Sequence, residues 1–243
     1  TILYRIYDMQ GFNLSETRLH LFRLVGVLTL LFSFNCLSIC EEKPALPLLS
    51  TPQSYTFNEI QYHNGSSIRD VRDLLQDDRG YIWMASAHGL IRYDGHGFKI
   101  FRHNPNDDNS IVDTELLSLY MLGDTLLCVG AVHGVSLIDV RKEKITNIEN
   151  DTEGKLINYV GDFFLDTHGI IWLAGLDGLY SLKPDFSGII NHHLDAPPPQ
   201  KGNPAFAKRA YCITQHEFDK NLLMIGTEGG LVSFDIKRNK LHK

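Results

Sequence analysis

The stretch QDDRGYIWMASAHGLIRYDGHGFKIF, Gln76 to Phe101, decides how the rest of the chain is read. Apolar alternation is interrupted three times within it, at DDRG, AHG and GHG. Each interruption carries a glycine at the place where a tight turn needs one. Short alternating runs bounded by such turns read as antiparallel strands, roughly Asp70 to Gln76, Tyr81 to Ser86, Leu90 to Asp94 and Phe98 to His103.

The same pattern recurs. IWMASAHGLIRYD (Ile82 to Asp94) aligns with LCVGAVHGVSLID (Leu127 to Asp139), IWLAGLDGLYSLK (Ile171 to Lys183) and LMIGTEGGLVSFD (Leu223 to Asp235). The pivotal glycines are Gly89, Gly134, Gly178 and Gly230, spaced 45, 44 and 52 residues apart. The last spacing is long because a polar, proline-rich insert, DAPPPQKGNPAF, occupies 195–206. A repeat of about 45 residues holding four antiparallel strands is the size of one propeller blade, and no such sheet can keep its own faces dry. The fold expected is therefore all-β, a β-propeller of four recognisable four-stranded blades at about 66–104, 112–149, 157–194 and 208–243, in a larger, typically seven-bladed ring. A solenoid of stacked hairpins fits four strands per repeat poorly. Trp83 and Trp172 share one column with Cys128 and Met224, where a large apolar side chain would fill the wedge between neighbouring sheets. The innermost strands, 70–76, 114–119, 159–165 and 211–215, show no repeated catalytic residue type. The stretch Tyr55 to Gly65 reads as a lone strand that could pair into the last blade of a ring.

Composition and the N-terminal region bound the setting. The chain has 243 residues, 43% hydrophobic and 21% charged, with a net charge of −6. That is ordinary for a folded protein and lacks the basic face that nucleic-acid binding needs. Residues 1–40 read as an N-terminal extension with a signal peptide or anchor: Arg18, His20 and Arg23 precede a 16-residue apolar run, Leu24 to Ile39. Residues 41–54 are a proline-rich linker into the folded part. Of four cysteines, Cys36 and Cys40 belong to the signal region. Cys128 and Cys212 fall in different parts of different repeats, which argues against a bridge between them.

No nucleophile elbow, phosphate loop, metalloprotease motif or cofactor-binding motif is present, so catalytic, metal and cofactor assignments are all empty. His88, His133 and Asp177 form one column just before the pivotal glycines, with Gly229 in that place in the fourth copy and Glu228 beside it. Equivalent turns on successive blades are too far apart to ligate one ion at about 2.0–2.1 Å. The four residues are candidates for ligand contact on a loop face, since loops on a rigid scaffold carry recognition. The carboxylates of DDRG and of NPNDDNS (Asn104 to Ser110) lack calcium-loop spacing and suit turns.

VRDLLQDDRGYIWMASAHGLIRYDGHGFKIFRH, Val71 to His103, resembles the two-component regulator propeller repeat found in the periplasmic sensor region of hybrid two-component histidine kinases of Bacteroidetes. The resemblance runs from Tyr55 to Lys243, is specific in the first and third copies, and is weaker in the second, where Cys128 replaces tryptophan and MLGDTLLCVG lacks the usual turn. It implies a sensor propeller at the periplasmic face of a Gram-negative inner membrane. Its ligand would be an oligosaccharide and its output glycan-utilisation genes. The remaining receptor domains, a histidine kinase among them, would lie in the parent chain and the receptor would be a homodimer. An exported propeller enzyme acting on glycans and a passive interaction scaffold are the alternatives.

Overall fold

The computed structural model describes residues 69–194 and 208–242. The segment read as a signal peptide or anchor, the expected linker, the strand expected at Tyr55 to Gly65 and the proline-rich insert lie outside the described residues. Those described form sixteen strands in four antiparallel meanders, with no helix among them. The first sheet holds β1 (Val71–Gln76), β2 (Ile82–Ser86), β3 (Gly89–Tyr93) and β4 (Phe98–Phe101). The second holds β5 (Leu116–Leu122), β6 (Leu126–Ala131), β7 (Val135–Asp139) and β8 (Lys144–Ile148). The third holds β9 (Asp162–Leu165), β10 (Ile171–Gly175), β11 (Gly178–Leu182) and β12 (Ile189–Asn191). The fourth holds β13 (Ala210–Gln215), β14 (Leu222–Thr227), β15 (Gly230–Asp235) and β16 (Lys240–Leu241).

Side chains alternate across a strand, so IWLAG on β10 supplies two apolar faces. Ile171 and Leu173 pack with Cys128, Val135 and Leu137 of the second sheet. Trp172 and Ala174 face the other way, against Leu223, Ile225 and Phe234 of the fourth. Trp83, Ala85 and Leu90 of the first sheet meet Leu127, Val129 and Ile138 of the second in the same manner. The first strands β1, β5, β9 and β13 neighbour one another in order, which is the arrangement of propeller blades. Trp83, Cys128 and Trp172 are buried, whereas Met224 is only partly covered among the described residues. Burial pushes the Cys128 thiol up to about 12, so it packs as a protonated, apolar group.

Both tryptophans are also hydrogen-bonded. Trp83 Nε1 donates to Asp77 Oδ2 at 3.0 Å, and Trp172 Nε1 donates to Asp166 Oδ2 at 2.8 Å. The other oxygen of each aspartate accepts the backbone N–H groups of its own turn, from Arg79 and Tyr81 in one case and His168 and Ile170 in the other. One carboxylate thus closes the β-hairpin and satisfies the buried indole. Burial raises the Asp77 carboxyl, but the Trp83 indole, the Arg79 guanidinium and the Tyr81 amide outweigh that and hold it below the usual carboxylate value.

Where the column holds no indole, the aspartate is absent too. In the fourth sheet His216 follows the inner strand, and its Nδ1 accepts the amides of Phe218 and Asp219 at 3.3 and 3.1 Å. In the second sheet a three-residue turn through Gly123, at φ 56°, replaces the longer one. The copy read as lacking the usual turn has a tighter one instead.

The four pivotal glycines have φ of 118°, 88°, 124° and 114°. At Gly89 a Cβ would lie 2.5 Å from the Phe101 carbonyl oxygen, and at Gly134 one would lie 2.6 Å from that of Ile148. At Gly230 it would meet nothing within 4 Å among the described residues. Conformation alone requires glycine at the last site; conformation and contact both require it at the first two.

Two outcomes follow from these contacts. Gly89→Ala costs more stability in urea unfolding than Gly230→Ala, which carries only a backbone penalty of about 1–3 kcal/mol; equal losses would refute the steric account. Asp77→Ala strands the Trp83 indole and costs about 1–3 kcal/mol at pH 7. Because the folded-state pKa is depressed, that contribution is present above the unfolded value near 3.9 and fades as pH falls through the folded one. The gap between wild type and variant therefore narrows in acid.

Candidate functional site

In each meander the turn between the second and third strands emerges on the same side as the chain entering the inner strand. Four equivalent backbone bonds fix this: Ala87 N–H to Asp70, Val132 to Glu115, Leu176 to Asn158 and Glu228 to Arg209. Each joins the residue two before a pivotal glycine to the chain entering the inner strand. A face of turns and connections is thereby laid on a rigid scaffold, the usual setting for recognition.

The column of polar residues read from the sequence sits on this face, but its members do not converge. His88 pairs with Asp70 at 3.4 Å, and both are largely exposed. His133 Nδ1 lies 2.7 Å from Asp113 Oδ2, and the same carboxylate accepts the His133 amide. Asp113 feels burial that raises its carboxyl, outweighed by His133 and by the Glu115 and Thr114 amides, and is held low. Asp177 is 3.6 Å from Lys155, and Glu228 accepts the hydroxyl proton of Tyr211. Each candidate is thus partnered within its own stretch of the face. Among the described residues no three His, Cys, Asp or Glu side chains come together as a metal site would require. The Asn104–Ser110 loop folds on itself, with Asn104, Asp107 and Ser110 side chains capping its own amides.

The inner strands hold a repeated position that reading them as bare segments missed. Asp73, Ser118, Asp162 and Cys212 stand opposite Ala85, Gly130, Ala174 and Gly226 on the adjacent strand, and so occupy one column. Asp73 Oδ2 accepts the Leu119 amide of the second sheet at 2.7 Å, and Asp162 Oδ2 accepts the Ile213 amide of the fourth at 2.8 Å. Ser118 donates to the Val160 carbonyl at the third sheet, at 2.8 Å. Each seam between blades is thus tied by one side chain to one backbone group. Asp73, Ser118 and Asp162 join blades, while Cys212 is exposed. Cys128 and Cys212 are both free, as their repeat positions imply.

The third inner strand starts at Asp162, not at Tyr159 as alternation suggests. Tyr159 adopts φ 53°, and the Tyr159 and Val160 amides donate to Val132 and Ala131 of the second sheet. Tyr159 and Tyr211 are exposed, and the Arg209 guanidinium lies over both rings. None of the three stands in the polar column, so nothing in the pattern of turns singles them out.

No family model matches the chain. Over 90 residues it is 34% identical to histidine kinase P4 of Formosa agariphila, a stretch making up 37% of this chain and 6% of that protein. The extracellular domain assigned to the hybrid two-component system BT3049 of B. thetaiotaomicron superposes with a TM-score of 0.60 at 18% identity, over 73% of this chain and 25% of that one. The extracellular domain assigned to the hybrid two-component system BT4673 from the same organism gives a TM-score of 0.55 at 22% identity, over 76% of this chain and 22% of that one. The chain is similar to extracellular domains of bacterial two-component systems. It spans about a quarter of each solved domain and a far smaller share of the kinase. The likeness to these solved domains shows that they share its fold.

Burial and the nearby Asp73 raise the Asp162 carboxyl above its ordinary value, against the Ile213 and Phe163 amides that lower it; burial is the largest influence. A raised folded-state pKa gives stability that is full below the unfolded value near 3.9 and is lost as pH rises through the folded one. Asp162→Asn keeps an oxygen for the Ile213 amide and removes the buried charge. Urea midpoints from pH 4 to 8 are expected to favour the variant increasingly as pH rises; a variant weaker by the same margin at every pH would refute the cost assigned to the buried charge.

Proposed function

We propose that this chain is part of the extracytoplasmic sensor propeller of a two-component receptor, of the two-component regulator propeller type. The observation that carries this reading is the similarity of a four-blade stack, with its single shared face of turns and connections, to extracellular domains of such systems. In this reading the propeller recognises an oligosaccharide outside the cytoplasm and the parent chain carries the kinase. The receptor acts as a homodimer at the periplasmic face of a Gram-negative inner membrane, and its output is the transcription of glycan-utilisation genes. This part is non-catalytic: Asp73 and Asp162, the two carboxylates repeated on the inner strands, are engaged in joining blades.

Signalling of this kind has an energetic requirement. A ligand shifts the kinase only by its difference in affinity between two arrangements of the receptor, and a roughly tenfold difference supplies about 1.4 kcal/mol. A rigid blade stack suits that purpose because contact on one loop face is passed on as a whole-body displacement.

The test is autophosphorylation of the full parent receptor in membrane vesicles, with ATP, before and after adding oligosaccharides released from plant and host polysaccharides. A several-fold change with at least one of them is expected. A parent reading frame without a kinase domain, or phosphorylation indifferent to every glycan, would overturn the proposal.

A further inference from the structure

The outer strands carry a repeated position of their own, opposite the residue that follows each pivotal glycine. Phe101 stands there against Leu90 in the first sheet, and Ile148 stands against Val135 in the second. In the third sheet the position belongs to His192, whose amide donates to the Leu179 carbonyl. Two apolar side chains and one imidazole thus share a column. Phe101 stacks on Trp83 with ring centroids 5.7 Å apart, and His192 lies against Trp172 at 4.9 Å. The imidazole also meets Phe234 of the fourth sheet at 5.5 Å. A titratable group therefore occupies a wedge that the first two sheets fill with hydrocarbon.

Both ring nitrogens of His192 are engaged. Nδ1 meets the side-chain oxygen of Asn239, which can only accept, so Nδ1 carries the proton. Nε2 then accepts the Ser181 hydroxyl proton at 2.8 Å. Ser181 lies in the third sheet, and Asn239 lies in the hairpin turn of the fourth, at φ 51° just before β16. The relay crosses the outer end of the seam whose inner end Asp162 ties to the Ile213 amide. In the first seam Glu143 holds the same turn position, at φ 53° just before β8, and receives Arg92 at 3.0 Å together with Lys99. Those charges persist between pH 5 and 8, whereas an imidazole titrates there. Neither partner of the His192 ring is a carboxylate that would welcome a second proton. On its own strand end stands His193, paired with Glu153 at 3.0 Å. The facing hairpin brings Asp235, which Arg238 engages at 3.5 Å, with Lys237 and Lys240, the latter lining the cleft beside the ring. Burial, the largest influence, lowers the imidazole below its ordinary value; the Asn239 bond opposes this and the His193 charge adds to it.

We propose that His192 is a pH-operated latch at the outer end of the third seam: the neutral imidazole holds the Asn239 hairpin to the third sheet, and protonation in mild acid frees that hairpin while the first seam stays closed. A depressed folded-state value gives the latch full strength above the unfolded value near 6.5, and the strength is lost as pH falls through the folded one. The inference is independent of the sensor reading, since the only ligand it needs is the proton.

The experiment is hydrogen–deuterium exchange of the intact chain from pH 8 to 5, read by mass spectrometry and corrected for the intrinsic pH dependence of amide exchange. An NMR titration of the histidine C–H resonances accompanies it. Protection of residues 235–241 is expected to fall several-fold in acid, while that of 139–144, the equivalent hairpin of the second sheet, holds. In His192→Phe, which copies the first sheet, and in His192→Gln, which keeps polar contacts without titrating, the protection of 235–241 no longer varies with pH. The glutamine variant carries the comparison if the phenylalanine one does not fold. The resonance that both variants lack titrates below about 6.5. Constant protection of 235–241 in the wild type, an equal acid loss in a folded variant, or a His192 resonance titrating at or above that value overturns the latch.

Discussion

The structure depends on a single constraint: its sheets are apolar on both faces and must be sandwiched. A strand such as Ile171–Gly175 has no polar side to give to water, unlike strands of a half-solvated antiparallel sheet. Burial of apolar surface at roughly 25 cal/mol per Å² makes the contact between sheets, not the pairing within one, the dominant source of cohesion. Stacking in register follows, and with it the alignment of every turn and every connection. The shared recognition face is a by-product of keeping the sheets dry.

Within that frame the tryptophans show how a local motif is selected as a unit. An indole placed in the wedge contributes a large apolar area but carries an N–H that cannot be left without an acceptor. Asp77 and Asp166 supply it, and a carboxylate already needed to close the turn does both jobs. The second and fourth sheets, with Cys128 and Met224 in the column, dispense with the aspartate and close their turns through Gly123 or His216. Two positions six residues apart therefore change together across copies of one chain, for a reason visible in the hydrogen bonds.

Much of this was legible in the residues alone. Turn glycines, alternation and the spacing of Gly89, Gly134, Gly178 and Gly230 were enough to place four sheets, because positive φ and strand period leave direct marks on sequence. The polar column His88, His133 and Asp177 was also visible, though its members pair locally with Asp70, Asp113 and Lys155. Hidden from view were features created by register. A single-residue shift in an inner strand decides whether Arg72, Leu117 or Tyr211 leaves the ladder, and no composition signal accompanies it. Tyr159 likewise reads as the start of a strand, and only its bond to Val132 shows that the strand begins later. The seam position Asp73, Ser118, Asp162, Cys212 escaped because its members share a geometry and not a residue type.

That seam has a consequence for how such a chain can change over time. Among the described residues no ladder runs from one sheet to the next, and neighbours are held by buried apolar contact, by backbone bonds from the connections, by a side chain reaching a backbone group on the inner strand, and by further side-chain bonds and ion pairs such as Arg92–Glu143 and Gln215–Thr167. Gene duplication can therefore insert or delete a complete four-stranded unit at any seam without cutting a hydrogen-bonded ribbon. The new joint has then to supply matching apolar faces and polar side chains of suitable reach. The column holds Asp73, Ser118, Asp162 and Cys212, so the joint accepts more than one residue type, and the length of such an array is physically easier to vary than the interior of any blade.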